Sequence, residues 1–581
     1  MRPAAMVEVV ERAYRAVAAG DFAAAEQAFL RAHEMAPHDA LIAGDVAAAA
    51  MRTGGYAAAA PWLAKAADLA PGNAGAQATA GLVMAKLGRN DQAIVFLERC
   101  IALDPGHREA LEALGAIAVA AGDAAGGLAR YEAAIRVAPT SANLIGAGNA
   151  LSLMSRHREA SARFEQATER EPGNTQAVSA RLMAAIYDPE LSPMDVADLH
   201  RRLSAVYERL DARKPVPRPR AGQRIRIGYV AADFRRHVGA SQLISLVRHH
   251  DRTTFEVACY VANSKVDSVT EQFRSLVDIW RPIYDLDAAA AADLVVKDGI
   301  DILIDFDGHG EGGRLDLFAL HPAPITVSLP GYVATTGLRA IDYRTTDRIS
   351  DPDESAQAVY SERLVWLPEG HFSYEPLFEL PPVGQPPATT LGRLTFGSFH
   401  NRRKYHSSLI RTWAEILKRV PESRLVLKDR QFGYSSACEQ VRLEFTRFGV
   451  DPLRIEFLGY VPTHDAHYRA YEMVDIALDP FPFNGTTTTI DATLMGVPVV
   501  ALRGDRHVSR LAANILTHID AEELIAETPE RYVDLAVALA ADDARRARYR
   551  TGLRDAVMAS PMLQPRRVVG PLEDFYRSVV K

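Results

Sequence analysis

Cysteine is scarce: Cys100, Cys259 and Cys438 are the three in 581 residues, far apart and without a CxxC spacing. Neither a disulfide framework nor a zinc site is indicated, and such usage suits a reducing, cytoplasmic compartment. No apolar run reaches the roughly 18 residues of a membrane span. The first twenty residues carry Glu8 and Glu11 where a secretory leader would be apolar. Positive charge is not in excess: the net charge is −7, which argues against a nucleic-acid surface. No GxGxxG follows a first strand and no Walker lysine follows a glycine-rich loop, which lowers dinucleotide-dependent and ATPase chemistry. No DxD-type carboxylate cluster lies in the segments 395–428 and 478–496, so no metal and no other cofactor is expected.

What is present first is a repeat. Prolines fall at Pro37, Pro71, Pro105 and Pro139, and glycines at Gly20, Gly54, Gly88 and Gly122, each ladder stepping by 34 residues. Pro172 comes one residue early, and Arg156 stands next in the glycine register. Between them the chain is rich in Ala, Leu and Glu, with Gly81, Ala85 and Ala93 allowing helices to approach closely. A helix-turn-helix unit of this period is the tetratricopeptide signature. The expected array spans 1–180, four to five repeats with a concave groove. Such a groove suits either an extended polypeptide or self-association into a homodimer, and both readings stay open.

Residues 181–222 read as linker helices ending in a Pro/Arg segment at 214–222. Then the period changes. "RIRIGYVAADF" (224–234), "FEVACYVA" (255–262), "IDILIDF" and "APITVSLPGYV" read as strands alternating with helices, a doubly wound domain over 223–380. After a proline-dense link (377–390) the pattern restarts over 391–581, with strands in "RLTFGSFH", "SRLVLKD", "RIEFLGYV", "DIALDPF" and "VPVVALRG". The final segment is expected to be a helix packing back across the cleft. The fold class is therefore α/β, two Rossmann-like domains facing a cleft, preceded by an all-α superhelix.

One stretch asks for chemistry. "LDPFPFNGTTTTIDATLMG" (478–496) places Thr486–Thr489 between a strand's carboxyl end and a helix. Free N–H groups and the positive end of the helix dipole collect there. Hydroxyls add donors and Gly485 permits a tight turn, so a diphosphate fits the place. A plain N-cap would need one threonine, not four. Asp491, one turn in, could accept from a ribose diol.

These residues carry a resemblance. "LDPFPFNGTTTTIDATLMGVPVVAL", "RIGYVAADFRRH", the block from "DGIDILIDFDGHG" to "DYRTTD", and "LTFGSFHNRRKYHSSLIRTWAEILKRVPESRLVLK" are similar to segments of the O-GlcNAc-transferase family, glycosyltransferase family 41, in the family's order. The resemblance implies a GT-B fold and an inverting, metal-independent transfer of a sugar from a nucleotide donor to Ser/Thr of a protein. It implies that Lys404 contacts the donor diphosphate, with Asn401 beside it. Thr487 and Thr488 match phosphate-binding threonines, Thr486 stands at a position that is histidine in animals, and Asp491 matches a ribose contact. His467 matches the histidine packing on the base, with Pro462 and His464 near the same pocket. His237 matches an active-site histidine, and Asp293 aligns with an aspartate proposed to shuttle protons.

The chain also departs from that pattern. "GHGEGGRL" (308–315) has Gly310 and Gly313 at polar positions, and "GYVATTG" (331–337) lacks the usual Pro-Gly. Asp45, Thr79, Ala113 and Ala147 fall where animal enzymes line the groove with asparagine. UDP-GlcNAc is the default donor. GDP-fucose, a CMP-nonulosonate delivered to flagellin, or an inactive scaffold are the alternatives.

Overall fold

Alternating caps and breakers build the N-terminal helices. The computed structural model describes residues 4–209, 212–213 and 223–580, so the Pro/Arg link expected at 214–222 lies outside the described residues. The chain divides into two compact units between Leu151 and Ser152. In the first, Asp21, Asp39, Asn73 and Asp123 each cap a helix by accepting first-turn N–H groups. Gly81 is required by packing, since a Cβ there would fall 2.6 Å from Leu97 Cγ of the paired helix. The glycine ladder shifts once. Gly55, not Gly54, takes the left-handed conformation and kinks the long helix Ala40–Leu69. Of the four expected groove positions, Ala147 is fully buried and cannot face a ligand.

The second unit opens with helices His157–Arg170, Thr175–Tyr187 and Pro193–Ser204. The repeat region expected to close at 180 therefore overruns the division, and its last helix pair packs with the α/β part.

Two all-parallel sheets follow. The first contains β1 (Ile225–Ala231), β2 (Phe255–Val261), β3 (Ile279–Pro282), β4 (Ile302–Asp305), β5 (Ile325–Ser328), β6 (Tyr343–Thr346) and β7 (Arg363–Trp366), in the order β3-β2-β1-β4-β5-β6-β7. The second contains β8 (Thr395–Ser398), β9 (Arg424–Lys428), β10 (Ile455–Leu458), β11 (Ile476–Leu478), β12 (Val499–Leu502) and β13 (Ile525–Ala526), in the order β10-β9-β8-β11-β12-β13. Buried apolar runs such as Leu425–Leu427 and Val499–Ala501 are what a sheet covered on both faces demands. Each order reverses once, between β1 and β4 and between β8 and β11, and crevices at such reversals are where α/β sheets bind ligands.

The two sheets are held together by buried polar contacts. Asn514 donates to Asp347 Oδ2 at 2.6 Å, and His507 Nδ1 lies 2.8 Å from Asp351 Oδ2. The proline-dense link is strapped down: Arg550 donates to Gly384 O and Arg554 to Pro381 O. The terminal helix Pro565–Val579, expected to pack back across the cleft, packs against the first sheet. Its Val568, Val569, Leu572 and Tyr576 join the core of the first sheet, and Glu573 accepts from the Asp251 N–H at 2.7 Å. Short strands β3, β6, β7 and β13 had no clear alternation to reveal them; neighbouring strands recruit them into the sheets.

Candidate functional site

The loops after β1, β8 and β11 leave the two reversal points and converge. After β11, Asp479 organises the turn: its Oδ1 accepts from Gly485 N at 2.9 Å and Thr489 Oγ1 at 3.1 Å. Gly485 is obligatory, because a Cβ would sit 2.3 Å from His400 Nε2 and 2.6 Å from Thr489 Oγ1. The four threonines thus divide their work. Thr489 is structural, Thr486 occupies the N-cap without a side-chain cap bond, and Thr487 reaches the cavity. Thr488 lies in the same first turn, its carbonyl accepting from Tyr471 at 3.1 Å.

After β8, Asn401 caps the short turn Arg402–Lys404 by accepting from Arg403 N at 2.9 Å. Lys404 leaves this turn for the threonine loop, where Nζ donates to Asn484 O at 2.7 Å and stands 4.3 Å from the Phe483 ring centroid. Burial pulls its pKa down to about 8, against the attraction of Asp479. Its ammonium is therefore poorly hydrated and placed beside a helix N-terminus, a position that attracts anions.

A cavity of about 400 Å³ opens next to this loop. It is lined by six of the residues expected from sequence: His237, Pro462, His464, His467, Thr487 and Asp491. His467 Nε2 lies 3.2 Å from Asp491 Oδ2, while its Nδ1 accepts from Lys428 Nζ at 2.7 Å. Tyr374, from the link between the sheets, donates to Asp491 Oδ1 at 3.0 Å. Burial lowers the Lys428 pKa to about 8, with Asp491 and Asp429 opposing. His464 stacks on Phe378, centroids 3.8 Å apart, and Arg236 lies 5.3 Å from the same ring. Lys428, Tyr374 and Phe378 were not singled out from sequence. Lys428 had a signal, since it ends β9 at the ligand-bearing edge.

After β1, His237 lines the cavity from the opposite sheet, with Nδ1 2.6 Å from Asp233 Oδ2. A Cβ on Gly239 would intrude to 2.5 Å from that carboxylate oxygen, so glycine there keeps room for the pair. Behind it, burial and the Asp233 charge push Asp307 well above the usual carboxylate range.

Asp293 is not brought to this site. It sits on the helix Ala288–Asp298, two-thirds exposed, paired with Arg213 at 2.9 Å. Asn401 and Lys404 border the loop rather than the cavity itself. Nor do the two departing loops line that cavity. They are pinned to each other: His309 is buried, its Nε2 2.7 Å from Thr336 O and its Nδ1 2.9 Å from Ser179 Oγ. Burial lowers its pKa to about 3. Gly313 is forced by the tightness of its loop, where a Cβ would fall 2.0 Å from Gly308 O.

Residues 205–376 and 392–571 match Glycosyl transferase family 41, and residues 74–107 match a tetratricopeptide repeat. A barley (Hordeum vulgare) protein named as a probable UDP-N-acetylglucosamine–peptide N-acetylglucosaminyltransferase SPINDLY is 37% identical over 424 residues, covering 70% of this chain and 44% of the relative. A Caenorhabditis elegans UDP-N-acetylglucosamine–peptide N-acetylglucosaminyltransferase is 26% identical over 475 residues, covering 61% and 40%. The chain spans less than half the length of these curated relatives. Among solved structures, a mutant of Thermobaculum terrenum O-GlcNAc transferase superposes with a TM-score of 0.73 at 28% identity, covering 100% of this chain and 98% of that one.

Proposed function

Since the chain belongs to glycosyl transferase family 41, we propose that it is an inverting, metal-independent glycosyltransferase that moves a sugar from a nucleotide donor to Ser/Thr hydroxyls of a protein, with UDP-GlcNAc as the donor. The observation that carries this is the Lys404 ammonium held on Asn484 O beside the threonine turn. As the acceptor oxygen bonds to the sugar's anomeric carbon, the bond to the β-phosphate oxygen breaks and charge gathers on the diphosphate. Lys404, first-turn N–H groups and threonine hydroxyls neutralise that charge without a cation. His237, oriented by Asp233, accepts the acceptor's proton. Asp491, His467, His464 and Pro462 line the space for ribose and base.

The helical repeats select the acceptor or pair two copies of the chain. No helix among the described residues is long and apolar enough to cross a membrane, and a cytoplasmic setting suits a nucleotide-sugar donor. The test is thermal shift and hydrolysis with UDP-GlcNAc, GDP-fucose and a CMP-nonulosonate, with Lys404→Ala as control. Stabilisation by UDP-GlcNAc with turnover by wild type alone is the expected result. Turnover of another donor reassigns the sugar, and no binding of any donor favours the scaffold reading.

A further inference from the structure

The glycine ladder fails at one place. Gly20, Gly55, Gly88 and Gly122 all take positive φ between helices, and at the next such turn Ser155 does so, with φ +61°. A residue with a Cβ is disfavoured there, and an observed backbone outlier of this kind points to a local demand. The demand is visible. Ser155 Oγ donates to Arg402 O at 2.5 Å, and two residues on, His157 Nε2 lies 2.6 Å from Arg403 O. The carbonyl just before, Leu153 O, accepts from Gln431 Nε2 at 2.9 Å and from Arg402 at 3.4 Å. The turn that carries Lys404 is therefore gripped from behind by a helix pair outside both sheets.

The same helix pair reaches the other wall of the lysine's seat. His157 stacks on Tyr187 with centroids 5.2 Å apart, and Tyr187 stacks on Phe483 at 4.5 Å and 26°. Phe483 is the ring that faces the Lys404 ammonium, and it immediately precedes Asn484, whose carbonyl holds that ammonium. Tyr187 and His157 are buried, so this stack is fixed by packing.

We infer that Ser155, His157 and Tyr187 are positioning residues for Lys404, setting the separation between its turn and the Phe483–Asn484 backbone that receives its ammonium. The inference rests on the reading of Lys404 as the donor-phosphate lysine only for its consequence in turnover; the geometry stands without it. It makes the helix pair 157–187 part of the donor site, not an accessory to acceptor binding.

The test uses the whole 581-residue chain, whose nine lysines are few enough to resolve as ¹³C-labelled side chains by NMR, with Lys404→Met assigning the signal. In wild type Lys404 is expected to titrate, like Lys428, below the exposed lysines. Tyr187→Ala releases the ammonium to water and moves that titration up by at least about one unit, whereas Tyr187→Phe, which keeps the stack, leaves it in place. In parallel, UDP-GlcNAc hydrolysis falls about tenfold to a hundredfold in kcat for Tyr187→Ala, with UDP affinity nearly unchanged, and stays within about twofold for Tyr187→Phe. If Tyr187→Ala proves poorly folded, Ser155→Ala, which removes one hydroxyl, carries the same measurements. An unmoved Lys404 titration in a folded variant overturns the inference. Activity surviving Lys404→Met sinks the functional reading instead, and the titration still decides the positioning.

Discussion

Lys404 Nζ donates to Asn484 O at 2.7 Å, so the lysine of one loop is held on the carbonyl that precedes Gly485 in another. The contact spans the reversal point of the second sheet, between the loops after β8 and β11. It gives the ammonium one fixed partner and little water. On the proposed function, replacing Lys404 by Ala removes the fixed positive charge that faces the leaving diphosphate. We expect kcat to fall roughly 10²–10³-fold, the usual loss for one preorganised charge-stabilising group. Steady-state hydrolysis and transfer assays check this; turnover within about threefold of wild type would remove Lys404 from the mechanism.

The lowered pKa of Lys404, about 8, sets two opposite pH trends. Activity needs the ammonium, so kcat/KM should fall above pH 8. In the donor complex the diphosphate raises that pKa again, and the limb in kcat should lie higher. Stability runs the other way. An unfolded lysine titrates near about 10.4, so between these values the folded state holds fewer protons and the group's contribution to stability rises with pH. Lys404→Met should therefore melt higher than wild type at pH 7, with the gap closing toward pH 10. A melting-temperature series across pH 7–10 reads this directly.

How much of this was legible beforehand depended on whether a contact was local. The threonine loop could be read because strand end, glycine and helix start are contiguous, and its geometry turns on Asp479, six residues before Gly485. The Asp233–His237 pair lies within "DFRRH", four residues apart, so its spacing was in plain view. Tyr374 gave no local sign, because its partner Asp491 is 117 residues away across the link. Asp293 shows the reverse failure. An aligned position carried it into the site, but Asp293 lies on the exposed side of its helix and pairs with Arg213. The overrun of the helix pair 157–187 beyond the unit division was hidden for the same reason: a repeat period reports local geometry and is silent about which neighbour the last repeat packs against.

Lys428 and His467 form a relay toward Asp491. With Nδ1 accepting from Lys428, the His467 proton sits on Nε2, facing the carboxylate. Lys428→Met frees the ring to flip or change tautomer, and leaves Asp491 without its counter-charge. UDP affinity should weaken about tenfold, or about 1.4 kcal/mol, with a smaller change in kcat. Calorimetric titration of UDP into both proteins decides it, and equal affinities would refute the relay.

Gly485→Ala tests the turn without touching a charged group. The added Cβ meets His400, Thr489 and Asp479 at once, so the loop must move away from Asp479. Donor binding should weaken by more than tenfold, while the buried sheets keep the fold.

We expect Asp233 to serve transfer through His237. A 2.6 Å contact to Nδ1 places the proton there and leaves Nε2 as the basic atom for an acceptor hydroxyl. Asp233→Asn keeps the shape but offers an amide that can donate to Nδ1, favouring the tautomer with its proton on Nε2. Transfer to protein should then drop roughly 10²-fold or more, the scale of a lost general base. UDP binding should be unaffected, because neither residue belongs to the phosphate or base side of the cavity. His237→Ala should lose as much, and the double variant no more than His237→Ala alone, since the two residues form one functional unit. Additive losses in that cycle would mean that Asp233 serves the site by another route.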